Sequence, residues 1–162
     1  MAIRGYDPSY QMHTHIAAVI KDVNKTAEKW SAALKNLGIK PWRIFPSQKG
    51  GPDHAGRPCK MNVGEPTLIN VALTEIDALN GLQIELIEPL EGESIWSRDH
   101  DKRGASWQHL EIAVAPEDLQ TMFDSMEEAG GKLTFDLEFS DGRRAFYFEF
   151  AGGISFCVAP PH

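Results

Sequence analysis

The sequence contains no run of 18 apolar residues, which excludes a helix spanning a membrane. It has only two cysteines, Cys59 and Cys157, too few for a disulfide framework, so a reducing cytoplasm is the expected location. Basic residues are outnumbered, 16 against 23 acidic ones, and they form no stripe. With a net charge of −7, nucleic-acid binding is not expected. Glycine is present, but neither Gly50-Gly51 nor Gly152-Gly153 has the spacing of a phosphate-binding loop. The first residues, Met1-Ala2-Ile3-Arg4-Gly5-Tyr6, lack the apolar core of a secretory signal. What is there is a chain of 162 residues, 42% hydrophobic and 24% charged, a balance that suits one globular domain or two small halves sharing a sheet.

One pattern occurs twice. Thr14-His15-Ile16-Ala17-Ala18-Val19-Ile20 and Trp107-Gln108-His109-Leu110-Glu111-Ile112-Ala113-Val114 are strand-like runs that each begin near a histidine. An amphipathic helix follows each run. In the first, Asp22 and Asn24 are capping residues, Ala27, Trp30, Ala33, Leu34 and Leu37 make the apolar stripe, and Gly38 is the stop. In the second, Pro116 opens the helix, Leu119, Met122, Phe123, Met126 and Ala129 make the stripe, and Gly130-Gly131 ends it. Three strand candidates follow each helix, at about residues 41–46, 67–75 and 82–88, and at about 132–139, 143–150 and 154–159. The expectation is an α+β fold of tandem βαβββ modules. These form a curled, mainly antiparallel sheet with the helices on its convex face. The first module runs from about 12 to 90 and the second from about 106 to 160, within a single domain. The linker, about 91–105, holds a short helix with Trp96. Residues 47–66, rich in Gly and Pro, read as a lid or a crossover.

Strand parity assigns faces. Ile16, Ala18 and Ile20 share one face of the first strand, which places His15 on the other. By the same rule Glu85 lies opposite Ile84 and Leu86, and His109 and Glu111 lie opposite Leu110 and Ile112. Tyr147 and Glu149 lie opposite Phe146 and Phe148, and Cys157 lies opposite Phe156 and Val158. If the sheet curls, these polar groups line a concave pocket on a rigid support.

At this point the chain resembles the vicinal oxygen chelate superfamily, which includes glyoxalase I, methylmalonyl-CoA epimerase, fosfomycin-resistance enzymes and extradiol dioxygenases. It is most similar to the glyoxalase-like and methylmalonyl-CoA-epimerase-like group. The residues that carry the resemblance are His15-Ile16-Ala17-Ala18-Val19-Ile20-Lys21-Asp22, the run from Leu82 to Leu90, and Gln108-His109-Leu110-Glu111, within a span of about 13–158. The resemblance implies a divalent metal ion (Zn, Fe, Co, Ni or Mn) held by His15, Glu85, His109 and the position of Cys157. It also implies a small-molecule substrate and a homodimer. The chain departs from the family at the last position, where Cys157 replaces a glutamate. A second base in the first half falls near Asn70, which accepts no proton at neutral pH. Epimerization of methylmalonyl-CoA through two opposed carboxylates, and glyoxalase I activity, are therefore not expected.

Three arrangements stay open. Cys157 can complete a closed four-ligand set, which favours zinc. His15, Glu85 and His109 can act alone with open positions, as in non-haem Fe(II) sites. Or the pocket binds without metal. With open positions, the favoured activity is that of a metal-dependent lyase or isomerase of glyoxalase-like type. It would act on a small oxygenated substrate by proton transfer (isomerization, epimerization or elimination). Glu149 or Glu111 would move the proton and Tyr147 would donate to an oxyanion. The alternatives are a non-haem Fe(II) dioxygenase and a metal-free small-molecule binding protein. Each residue also has an ordinary reading. A strand-start histidine can be satisfied by backbone, Cys157 can be a small buried hydrophobe, and Tyr147 can be pocket wall. His13 belongs at the pocket rim, and His54 and His100 read as solvated. The charged run 97–103 reads as a solvated segment.

Overall fold

Alternation along the strands and helical spacing between them are both realised in the computed structural model, which describes residues 14–49, 57–64 and 67–161. His13 and His54 lie outside the described residues. The elements are β1 (His15–Val19), α1 (Val23–Leu34), β2 (Arg43–Lys49), β3 (Lys60–Val63), β4 (Leu68–Ile76) and β5 (Leu82–Glu91). They continue as α2 (Ile95–Arg103), β6 (Ser106–Ala113), α3 (Leu119–Glu128), β7 (Lys132–Glu138), β8 (Arg144–Phe150) and β9 (Ile154–Ala159). They form one nine-stranded sheet in the order β2-β4-β5-β1-β6-β9-β8-β7-β3. β1–β5 and β6–β9 are parallel pairs; the other neighbours are antiparallel. The fold is the α+β arrangement of two βαβββ units, joined where β1 meets β6.

The helix starts follow from local chemistry. Asp22 accepts a hydrogen bond from Lys25 N at 2.9 Å and caps α1. Glu88 accepts from Val23 N at 3.1 Å and from Asn70 Nδ2 at 2.9 Å, so a carboxylate also faces the first turn of α1. Gly38 ends this segment in the left-handed conformation at φ 71°, and a Cβ there would lie 2.9 Å from Asp77 Cβ.

The two faces of the sheet divide as parity requires. On the convex side Ala18, Ile20, Ile84 and Leu86 pack with Val23 and Ala27 of α1. Phe123 of α3 meets Phe146 and Phe148 edge-on, with ring centroids 4.8 and 5.2 Å apart. The concave side is a second apolar core rather than a mostly polar surface. Ala17, Val19, Val71, Ile87, Ala145 and Ala159 lie there, with Trp96 of α2 packed among them. The central strands are thus covered on both faces, as parallel pairs usually are. The polar residues form an island inside this core.

Within the described part of residues 47–66 the structure adds a strand that the sequence did not suggest. β2 runs to Lys49, and β3 pairs antiparallel with β7 through Lys60–Glu138 and Met61–Leu137, extending the far edge of the sheet. β3 is short and mostly exposed, so its sequence shows no alternation to read. The charged run 97–103 is largely exposed, as expected, apart from one residue. It is α2, and its Asp99 is buried.

Candidate metal centre

The site is built on Ala17. Its cross-strand neighbours are Glu85 on β5 and His109 on β6. One step on from the Ile16–Leu110 pair, His15 stands beside Glu111. Ala17 is fully buried and ends at Cβ, so the side chains of His15, Glu85 and His109 can close over it. Any larger residue would occupy the space they share.

The three side chains converge. His15 Nε2 lies 3.2 Å from His109 Nε2 and 3.3 Å from Glu85 Oε2, and His109 Nε2 lies 3.6 Å from Glu85 Oε2. Four- or six-coordinate ions with bonds of about 2.1 Å hold adjacent ligand atoms roughly 3.0–3.4 Å apart. Two sides of the donor triangle fall in this range and the third, at 3.6 Å, lies just above it, so the triangle is close to the size a divalent first-row ion needs. The fit has a second support. Glu85 Oε2 is buried without a well-formed hydrogen bond, so its charge must be met by a cation in the triangle, either the protonated His15 ring at 3.3 Å or an ion that replaces that proton. His15, Glu85 and His109 are also the group of potential ligands that the described residues bring together.

Cys157 and Glu111 stand apart from the triangle. Glu111 is paired across β6 and β9 with Cys157, and Tyr147 on β8 faces Cys157 from the other side. Cys157 Sγ lies 3.7 Å from Glu111 Oε2, and Glu111 Oε1 lies 3.5 Å from His15 Nδ1. The two halves differ here. In the first, the inner strand carries Ala17 and the outer strand Glu85. In the second, the matching positions are Glu111 and Cys157, so the carboxylate has moved one strand inward and reaches the back of His15.

Burial and charge set the protonation. Burial opposes a charge on His15, but Glu111 and Glu85 outweigh it and push its pKa up to about 9. Burial lowers His109 to about 4; the attraction of Glu85 does not offset this, and the His15 charge adds to it. Burial also works against the Glu85 charge, yet His15 holds its carboxyl below the usual range. Burial, followed by neighbouring Glu111, pushes the Cys157 thiol well up; burial, followed by Cys157, does the same to Tyr147. Both are neutral donors at neutral pH.

A cavity of about 40 Å³ adjoins the triangle, lined by His15, Glu85, Glu111, Tyr147 and Cys157 and walled by Phe45, Val71, Leu73, Leu137 and Phe139. Glu149 is not among the lining residues. It is half-buried and takes a hydrogen bond of 2.8 Å from Arg98 of α2. Asn70 bonds to Glu88 at the start of α1, whereas Ile69 and Val71 beside it belong to the concave core. Sequence reasoning passed over Ala17, Gln108 and Asp99. The one available signal was an alanine pair in a strand of Ile and Val.

Comparison with known proteins agrees with this architecture. The family model described as Glyoxalase/Bleomycin resistance protein/Dioxygenase superfamily matches residues 14–148. No curated protein matches the chain. Among solved structures, methylmalonyl-CoA epimerase from Mycobacterium tuberculosis is similar at 20% identity and a TM-score of 0.62, over 94% of this chain and 89% of that one. A hypothetical protein from Bacillus halodurans is similar at 18% and 0.60, over 95% and 96%. A variant of the Streptomyces coelicolor methylmalonyl-CoA epimerase, in complex with 2-nitronate-propionyl-CoA, is similar at 16% and 0.58, over 93% and 98%. At these identities the likeness establishes the fold. The family match, over most of the chain, establishes more: this protein belongs to the glyoxalase/bleomycin resistance/dioxygenase superfamily, the vicinal oxygen chelate group that its sequence resembles.

Proposed function

We propose that the protein is a metal-dependent isomerase or lyase that moves a proton on a small oxygenated organic substrate. The observation that carries this reading is the triangle of His15 Nε2, Glu85 Oε2 and His109 Nε2 beside a cavity with two neutral donors and a further carboxylate. A divalent cation held by these three residues would polarise a substrate carbonyl or enolate oxygen and acidify the adjacent C–H. Glu111 lines the cavity and would take up the proton. Tyr147, whose hydroxyl burial keeps neutral, would donate to the developing oxyanion. Phe45, Val71, Leu73, Leu137 and Phe139 would exclude water and receive an apolar substituent. Glu149, tied to Arg98, would act at the rim rather than on the reacting atoms. The similarity to methylmalonyl-CoA epimerases supports the isomerase class, while the apolar residues that flank Asn70 argue against an opposed pair of bases.

The first experiment is metal analysis of protein purified without added metal, beside His109→Ala. Near-stoichiometric metal in the parent and its loss in the variant are expected. Absence of metal in the parent after loading with zinc, cobalt, nickel, manganese and ferrous iron would sink the proposal.

A second reading follows from one observation. Because Cys157 lies outside the triangle, the ligands would be two histidines and one carboxylate, the set used by non-haem Fe(II) oxygenases. Iron in the purified protein, together with oxygen consumption, would favour that activity over proton transfer.

A further inference from the structure

His109 is tied into a line of polar side chains that leaves the sheet and enters α2. His109 Nδ1 lies 2.6 Å from Gln108 Oε1. Gln108 Nε2 donates to Asp99 Oδ2 at 3.2 Å. Arg103 Nη2 reaches Asp99 Oδ1 at 3.4 Å and donates to Gly153 O at 3.1 Å. His109, Gln108 and Asp99 are all buried.

The direction of this line is fixed from its far end. A guanidinium only donates and a carboxylate only accepts. Asp99 therefore accepts from both Arg103 and Gln108, and Gln108 must turn its NH2 toward Asp99. Its carbonyl oxygen then faces His109. A carbonyl can only accept, so His109 Nδ1 must carry the hydrogen. In a neutral imidazole the other nitrogen is then a bare lone pair, and that nitrogen, Nε2, is a corner of the donor triangle.

We propose that Asp99 and Arg103, acting through Gln108, are positioning residues that hold His109 in the Nδ1–H tautomer, with its Nε2 lone pair turned into the donor triangle. The purpose of the tautomer rests on the metal reading above; the tautomer itself does not. Gly153 is the anchor on the β8–β9 turn. It has φ 75°, a conformation that favours glycine, and a Cβ there would meet Arg103 Nη2, so a side chain at this position would push the guanidinium off its dock. A carboxylate at position 99 is what fixes the direction of the line. An asparagine of the same shape offers either a donor or an acceptor, and Gln108 could then turn over and present its NH2 to His109.

The test uses metal-free full-length protein at neutral pH, with long-range nitrogen–proton NMR of the imidazoles to assign each ring nitrogen. In the parent, His109 should show a protonated Nδ1 and a bare Nε2. Asp99→Asn should shift it to a mixture of tautomers, and Gln108→Met, which removes the acceptor, should do the same if the first variant folds poorly. Zinc affinity of either variant should fall about 10- to 100-fold, the usual effect of losing a partner behind a metal-ligating histidine. A merely structural role would lower stability and leave the tautomer unchanged. A protonated Nε2 in the parent, or an unchanged tautomer in both variants, overturns the proposal. If the tautomer shifts as expected but the parent binds no zinc, the positioning role stands and the metal reading fails.

Discussion

His15 and His109 are the same side chain in opposite electrostatic surroundings. Burial disfavours charge on each, but Glu111 and Glu85 overcome it for His15 and raise its pKa to about 9, whereas His109 is left at about 4. Without metal, one proton therefore rests on His15 near neutral pH, 3.2 Å from the bare nitrogen of His109, in the space a cation would take. Metal uptake must expel that proton. Apparent zinc affinity should rise about tenfold per pH unit between roughly pH 5 and 9 and level off above, since one proton is released and His109 does not compete until near pH 4. Competition titration against a chelator of known affinity reads this directly. An affinity independent of pH from 6 to 9 would mean that His15 is not protonated in the metal-free protein.

At the scale of strands, the site depends on which positions face one another across β5, β1, β6 and β9. Ala17 and Glu85 form one such pair, and Glu111 and Cys157 form its counterpart. Restoring the symmetry should restore a fourth ligand. Glu111→Ala combined with Cys157→Glu puts a small residue and a carboxylate where the first half has them, and zinc affinity should increase by at least about tenfold, as expected for one added charged ligand. A weaker site in the double variant would show that Glu111 behind His15 matters more than a fourth donor. Much of this level was legible beforehand. Both histidines, Glu85 and the carboxylate at Glu111 fell on one face by alternation alone, because a period of two needs no knowledge of partners. The position of Cys157 could not be read, since its separation from the triangle depends on Glu111 standing between it and His15. β3 escaped because an exposed edge strand has no apolar face to betray it. Asp99 looked solvated in a charged run; only the packing of α2 onto the concave side buries it.

The two halves of the sheet meet side by side at the β1–β6 pair and again where β3 borders β7, and the donor triangle lies across the β1–β6 seam, with His15 and Glu85 from one half and His109 from the other. A bound ion would therefore join the halves, and its binding energy would appear as stability. At a free zinc concentration of 100 times Kd the gain is about 2.7 kcal/mol. For a chain of this size that corresponds to roughly 5–10 °C in Tm. The metal-free protein should behave differently with pH. The raised His15 pKa contributes stability that is fully present below its unfolded value of 6.5 and is lost as pH rises through about 9. The lowered His109 pKa removes stability as pH falls from 6.5 toward about 4. Calorimetry of the metal-free protein should thus find these two contributions most favourable near pH 6.5, and zinc should remove the decline toward pH 9. A Tm unaffected by zinc would separate the ion from the seam. The exchange of Glu111 and Cys157 relative to Ala17 and Glu85 has a further consequence for whatever enters the cup. Two identical halves would receive an unsymmetrical molecule equally well in either of two orientations related by half a turn. With Glu111 and Cys157 on one side and Ala17 and Glu85 on the other, those two orientations differ in energy. The choice of one orientation over the other would then originate in a displacement of one carboxylate by a single strand.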